Sequence, residues 1–105
     1  MALPYFDLDV RADPPILAMR LHGELDFASA AELQLPPPPN AGQILCMLLD
    51  PSGVIFCDVA GLRQLRQVCL DAERRGWNVR VIRVPGRLRR LAQTAGVASE
   101  WLNQN

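Results

Sequence analysis

The sequence predicts one α/β domain spanning residues 1–105: a mixed sheet of four to five strands with helices packed mainly on one face. Three observations carry this. The chain has 105 residues, half of them apolar, which suffices for one modest core without metal or disulfide staples. The first 22 residues hold two alternating strand patterns. Later, an apolar strand pattern, an amphipathic helix pattern and a further strand pattern follow one another, which implies a parallel crossover.

Tyr5 to Val10 alternates, with Phe6, Leu8 and Val10 on one face and Asp7 and Asp9 on the other, the mark of a half-buried strand. Asp13-Pro14-Pro15 supplies a turn, because proline fixes its own φ and keeps its predecessor extended. Ile16 to His22 is a second strand, with Leu17, Met19 and Leu21 inward and Ala18, Arg20 and His22 outward. The two form a hairpin, and His22 falls on the polar face of an edge strand. Gly23-Glu24-Leu25-Asp26 ends it. Ala28 to Leu35 has helical composition with Asp26 as N-cap. Pro36 to Pro39 limit that helix to about two turns and start a stiff link through Asn40 to Gly42.

Ile44 to Leu49 is apolar without alternation, as in a strand covered on both faces. Pro51-Ser52-Gly53 reads as a turn, and Val54 to Cys57 as a short apolar approach to Asp58. From Asp58, the N-cap, a helix runs to Arg75, with Leu62, Leu65, Cys69 and Ala72 on its apolar stripe. Arg74-Arg75-Gly76 closes it with cations at the negative pole and a glycine suited to a left-handed C′ position. Asn78 to Val84 is the next strand. Pro85-Gly86 opens a last helix whose stripe is Leu88, Leu91, Ala92 and Ala95, and Gly96 ends it.

Composition excludes several functions. The longest apolar run, Ile44 to Leu49, is far short of the ~18 residues of a membrane helix, and the N-terminus lacks the basic start and apolar stretch of a secretory signal. A cytoplasmic protein without membrane insertion is expected. Cys46, Cys57 and Cys69 sit in apolar runs without CxxC or histidine company, so buried, reduced, inert thiols are expected and no metal site. Residues 1–60 carry eight acids against two arginines, and residues 61–105 nine arginines against three acids. No Phe or Tyr lies among the arginines of the second half, so no nucleic-acid binding is expected. The single histidine, the absence of GxSxG, P-loop and GxGxxG motifs, and carboxylates at Glu24 and Asp26 better explained by a turn and a cap point away from enzyme activity and from any cofactor.

Two stretches stand out: Leu21-His22-Gly23-Glu24-Leu25-Asp26, and Leu49-Asp50-Pro51-Ser52-Gly53-Val54-Ile55-Phe56-Cys57-Asp58 followed by Gly61-Leu62. In order and spacing they resemble the two motifs of the STAS domain, found in sulphate transporters and anti-sigma factor antagonists. The final Arg87-Leu88-Arg89-Arg90-Leu91-Ala92-Gln93-Thr94-Ala95-Gly96-Val97 is similar to the family's last helix. The resemblance covers residues 5 to about 98 and implies a STAS-like fold and a protein-binding role. In the bacterial anti-sigma factor antagonists, the loop before the second helix presents a serine. An anti-sigma kinase of the histidine-kinase-like ATPase fold phosphorylates it, and the phosphorylated form lets the kinase go.

Carried over by position, Asp58 matches the loop aspartate, Val59 the phospho-acceptor, Ala60 the next serine and Gly61 the glycine. Neither Val59 nor Ala60 has a hydroxyl, so the resemblance implies a site that cannot be phosphorylated. A neutral side chain there mimics the unmodified, binding state and suits a constitutive antagonist. A valine bulkier than serine equally suits a blocked surface or another partner. Asp26, Asp58, Val59, Ala60, Gly61, Leu62 and Arg63 are the expected partner contacts, with an apolar centre and a polar rim. Asp26 and Asp58 are also explained as caps, and Arg63 by solvation. Other readings are an accessory subunit binding the ATPase of a lipid-transporting ABC system, a signalling scaffold subunit, and a redox role for Cys57 that the Asp58 carboxylate disfavours.

Overall fold

The computed structural model describes residues 5–37 and 43–103. Four strands, β1 (Phe6–Asp13), β2 (Ile16–Leu25), β3 (Cys46–Cys57) and β4 (Asn78–Val81), lie side by side in the order β1-β2-β3-β4. The β1–β2 pair is antiparallel, and β2–β3 and β3–β4 are parallel. Helix α1 (Val59–Arg74) connects β3 to β4, and α2 (Gly86–Ala95) follows β4. The sheet is mixed, as the alternating and continuous apolar patterns predict.

One cluster forms the core. It joins Leu17, Met19, Leu21 and Leu25 of β2, Met47 and Leu49 of β3 and Val81 of β4 to Leu62, Leu65, Val68, Cys69 and Ala72 of α1 and to Leu88 and Ala92 of α2. Trp101 and Leu102, in a closing 3₁₀ turn at Glu100–Asn103, complete it. Register puts Asp7, Asp9 and Arg11 beside His22, Arg20 and Ala18 on the opposite face, where charged side chains keep their water. Gly76 and Gly96 close the two helices with φ of 88° and 71°, the left-handed C′ geometry their positions predict.

Besides the last strand, which ends at Val81 rather than Val84, four expectations need correction. β2 is a central strand rather than an edge, because β3 pairs along its other side. The expected helix from Ala28 to Leu35 is a single 3₁₀ turn at Ala30–Glu32. Each residue before a proline is driven toward extended geometry, so the segment leaves the turn and runs along α1. Its carbonyls find donors there: Gln64 Nε2 reaches Leu33 O at 2.6 Å and Arg75 reaches Pro36 O at 2.9 Å. The rest of the proline run and the 40–42 link lie outside the described residues.

Pro51-Ser52-Gly53 is the third correction, since β3 passes through it unbroken. β4 pairs only as far as Leu49↔Val81, and the β2–β3 register shifts between Arg20 and His22. Pro51 therefore sits at a bulge on a newly unpaired side, where no ladder needs its missing N–H. Gly53 packs against β2 so closely that a Cβ would stand 2.6 Å from the Leu21 carbonyl oxygen. Fourth, only Cys69 is buried; Cys46 and Cys57 are half-buried.

The bulge also creates a buried charge. Asp50 is 3% exposed. It accepts from Ser52 N at 3.0 Å and Arg83 Nε at 3.0 Å, with Arg20 Nε at 3.8 Å. Arg83 has a left-handed φ of 53°, which ends β4 at Val81 and turns the side chain back across the sheet. Burial alone pushes the Asp50 carboxyl up, but the Ser52 hydroxyl and amide and the Arg83 guanidinium outweigh it and hold it below the usual carboxylate range. A depressed folded value means that the carboxylate stabilises the fold fully above its unfolded value of about 3.9 and loses that contribution as pH falls through the folded value. The stability gap between the native chain and Asp50→Asn, measured by urea unfolding, is expected to narrow steadily below about pH 4. A gap that stays constant into that acid range overturns this assignment.

Much of the basic second half is likewise engaged internally. Arg87 donates to Ile55 O at 2.9 Å, and Arg66 and Arg75 stack 5.6 and 5.1 Å from the ring centres of Trp101 and Trp77. Among the described residues, no helix is long and apolar enough to cross a membrane.

Candidate functional site

The parallel strands β2 and β3 end side by side, Glu24 opposite Phe56 and Leu25 opposite Cys57. The Gly23-to-Asp26 corner and the start of α1 thus meet at one end of the sheet, although 31 residues separate the Phe27 amide from Asp58. Asp58 joins them. Its Oδ1 accepts from Gly61 N at 2.8 Å, the N-cap bond of α1, and its Oδ2 accepts from Phe27 N at 3.0 Å. Its own N–H donates to Leu25 O at 3.3 Å. One carboxylate therefore caps the helix and pins the neighbouring corner, two tasks of which the sequence predicts only the first.

Asp26 works inside its own corner. Its Oδ1 accepts from Ala28 N and Ser29 N, both at 3.0 Å. Ser29, 9% exposed, returns the bond: its hydroxyl donates to Glu24 O at 2.7 Å and accepts from Asp26 N at 3.0 Å. Sequence reasoning passed over Ser29; the signal was the Asp26-x-x-Ser29 spacing of a reciprocal cap. This hydroxyl is locked in the corner and does not stand in for the one missing at position 59.

The predicted contact residues divide. Asp26 and Asp58 are brought together with Val59 half-buried, Ala60 exposed and Arg63 exposed. Gly61 and Leu62 do not belong with them, because both are buried and Leu62 is fully enclosed in the core. The reason is helical phase: Gly61 lies directly against the Leu25 carbonyl, so α1 sits on the end of β2 with that side inward. Phe27, Ile55 and Phe56 instead supply the exposed apolar surface at this end, at 81%, 60% and 49% exposure. A cleft of about 310 Å³ is bordered by Tyr5, Phe6, Glu24, Asp26, Ser29 and Glu32.

Cys57 is poorly suited to nucleophilic or redox chemistry. Burial, and then the Asp58 and Asp26 charges, push its thiol up to about 12, so it stays protonated at neutral pH. Its S–H points at Asp58 O, 3.3 Å away.

The model of the STAS domain matches residues 7–103. The chain belongs to the STAS domain family. STAS domains are generally non-catalytic regulatory domains. Solved structures share the fold at low identity. The antisigma-factor antagonist STAS domain from Rhodobacter sphaeroides is 19% identical with a TM-score of 0.59, over 73% of this chain and 85% of that one. A sulfate transporter family protein from Wolinella succinogenes is 18% identical with a TM-score of 0.68, over 87% of this chain and 75% of that one. The murine Solute Carrier 26 family member A9 anion transporter is 17% identical with a TM-score of 0.64, and there the STAS chain spans 86% of itself but only 15% of the transporter. No curated protein matches the sequence. The STAS fold thus explains why the two motifs converge: each ends a parallel strand at the same end of the sheet.

Proposed function

We propose that this STAS domain is a cytoplasmic, non-catalytic regulator of transcription that docks an anti-sigma kinase through Asp58, Val59, Ala60, Arg63 and Asp26. Its docking cannot be switched off by phosphorylation at the loop. The observation that supports this is the double engagement of Asp58 with Phe27 N and Gly61 N. The loop is fixed before any partner arrives, so little ordering cost opposes binding. It presents Val59 and Ala60, uncharged and without a hydroxyl, where the resemblance places the phospho-acceptor and its neighbour. Phe27, Ile55 and Phe56 are exposed at the same end of the sheet, and the two phenylalanines add aromatic area of the kind enriched at protein interfaces.

Val59→Asp is the decisive variant. Immobilised chain is exposed to native lysate, and captured proteins are identified by cross-linking and mass spectrometry. Capture of a histidine-kinase-like ATPase is expected, with affinity falling at least about tenfold in Val59→Asp because a carboxylate is desolvated at the contact. Val59→Ser is expected to bind like the native chain and to accept phosphate from the captured kinase and ATP. Unchanged capture by Val59→Asp moves the docking surface elsewhere. Recovery of an ABC ATPase in place of a kinase establishes the accessory-subunit reading.

A further inference from the structure

β1 forms one border of the sheet, and among the described residues its only strand neighbour is β2. The Tyr5 carbonyl accepts from Glu24 N at 2.7 Å, which sets the phase of the antiparallel ladder. Asp7, Asp9 and Arg11 direct their backbone groups at β2, whereas Phe6, Leu8, Val10 and Ala12 direct theirs away from it. Natural sheets protect such borders with short strands, proline, bulges or charged side chains, lysine above all; β1 carries charge at Asp7, Asp9, Arg11 and Asp13, but of both signs and alternating with apolar residues. β4, the opposite border, is short, with four residues. β1 has eight residues in unbroken register with β2, and none of them is proline or lysine. From Asp9 onward all of them are exposed.

We propose that a second copy of this chain occupies that border, β1 pairing antiparallel with β1 about a two-fold axis at Val10 to make one continuous eight-stranded sheet. Charge selects the register. With the axis at Val10, Asp9 faces the partner's Arg11 and Arg11 faces the partner's Asp9. Both lie at non-hydrogen-bonded positions, where side chains across a ladder approach most closely. On the core face Val10 meets its own equivalent and Leu8 meets the partner's Ala12, so the apolar layer continues across the junction. The outward amides and carbonyls of Leu8, Val10 and Ala12 are all paired. A slip of one residue sets apolar side chains against the charged face, and moving the axis to Asp9 opposes that carboxylate to itself. Asp7 and the partner's Asp13 meet only at the ends of the ladder, where water screens them. Because the axis turns the second copy through a half circle, the two Asp58–Ala60 loops point to opposite ends of the joint sheet, and both remain accessible.

Sedimentation velocity on the full chain, up to about 500 µM, is the test. The native chain is expected to shift with concentration toward twice its 11.6 kDa mass. Arg11→Asp places acid against acid and is expected to weaken the dimer at least about tenfold. Adding Asp9→Arg to it recreates both opposite-charge pairs in reverse order and is expected to restore the dimer. Val10→Pro removes an amide that β2 does not use and is expected to give a folded monomer, with folding checked by far-UV circular dichroism. A native chain that stays monomeric at every concentration overturns the proposal. So does a dimer that survives both Arg11→Asp and Val10→Pro, or a charge-reversed double variant that remains monomeric while folded.

Discussion

Gly61→Ala is expected to destabilise the chain by about 3 kcal/mol or more, lowering its melting temperature by over about 10 °C. Judged locally, the sign is the reverse. Position 61 lies in the first turn of α1 with no positive φ, and alanine in a helix is favoured over glycine by about 1 kcal/mol. The contact with β2 decides. An added Cβ falls onto the Leu25 carbonyl, and that carbonyl already accepts from Asp58 N. Backbone on both sides leaves nothing soft to yield, so the helix must move off the strand and take Leu62 out of the core. Gly76→Ala is the control. Its φ is 88° but nothing lies within 4 Å of the added atom, so it is expected to cost only about 1 kcal/mol of left-handed strain. Thermal melts of the two variants compare a collision with a local strain. Equal losses remove the packing argument at Gly61.

Asp58→Ala is expected to cost about 2–3 kcal/mol, from losing an N-cap and leaving a second amide without its acceptor. The variant separates the carboxylate's two tasks when amide hydrogen exchange is followed at single residues. Protection is expected to fall at both Gly61 and Phe27, although Phe27 belongs to a corner far away in sequence. Asp58→Asn is expected to recover about half of the loss, because its one carbonyl oxygen replaces one acceptor and its NH₂ group opposes the other amide. Loss of protection at Gly61 alone shows that Asp58 is a helix cap and nothing more. Under the proposed function, Asp58→Ala also weakens docking while leaving Val59 and Ala60 in place, since a loosened loop must be ordered on binding.

Much of the architecture is legible from periodicity and end signals. The hairpin follows from the alternation around Phe6 to Val10 and Leu17 to Leu21, and the boundaries of α1 follow from Asp58 at one end and Gly76 at the other. These signals are local: a cap, a turn or a left-handed glycine acts within a few residues of itself. Elements whose form depends on distant partners were not legible. Pro51-Ser52-Gly53 carries turn chemistry, yet β2 holds it in a strand while the end of β4 leaves Pro51 unpaired. Ala28 to Leu35 has helical composition, yet the prolines shorten it, and Gln64 and Arg75 donate to carbonyls of the extended chain that remains. The candidate site divides in the same way. The absence of a hydroxyl at Val59 and Ala60 is a matter of sequence. The inward turn of Gly61 and Leu62 is a matter of helical phase against β2.

The order of elements, the STAS motifs, the caps and the chemical character of the loop are written in the amino-acid order, because each depends on residues adjacent in the chain. It took three-dimensional packing to let the Asp58 carboxylate tie two distant corners together, to bury Asp50 between Arg20 and Arg83, and to leave β1, among the described residues, with β2 as its one strand neighbour. Those outcomes depend on which carbonyls, amides and charges are brought within about 3 Å of one another, and sequence separation does not encode that distance.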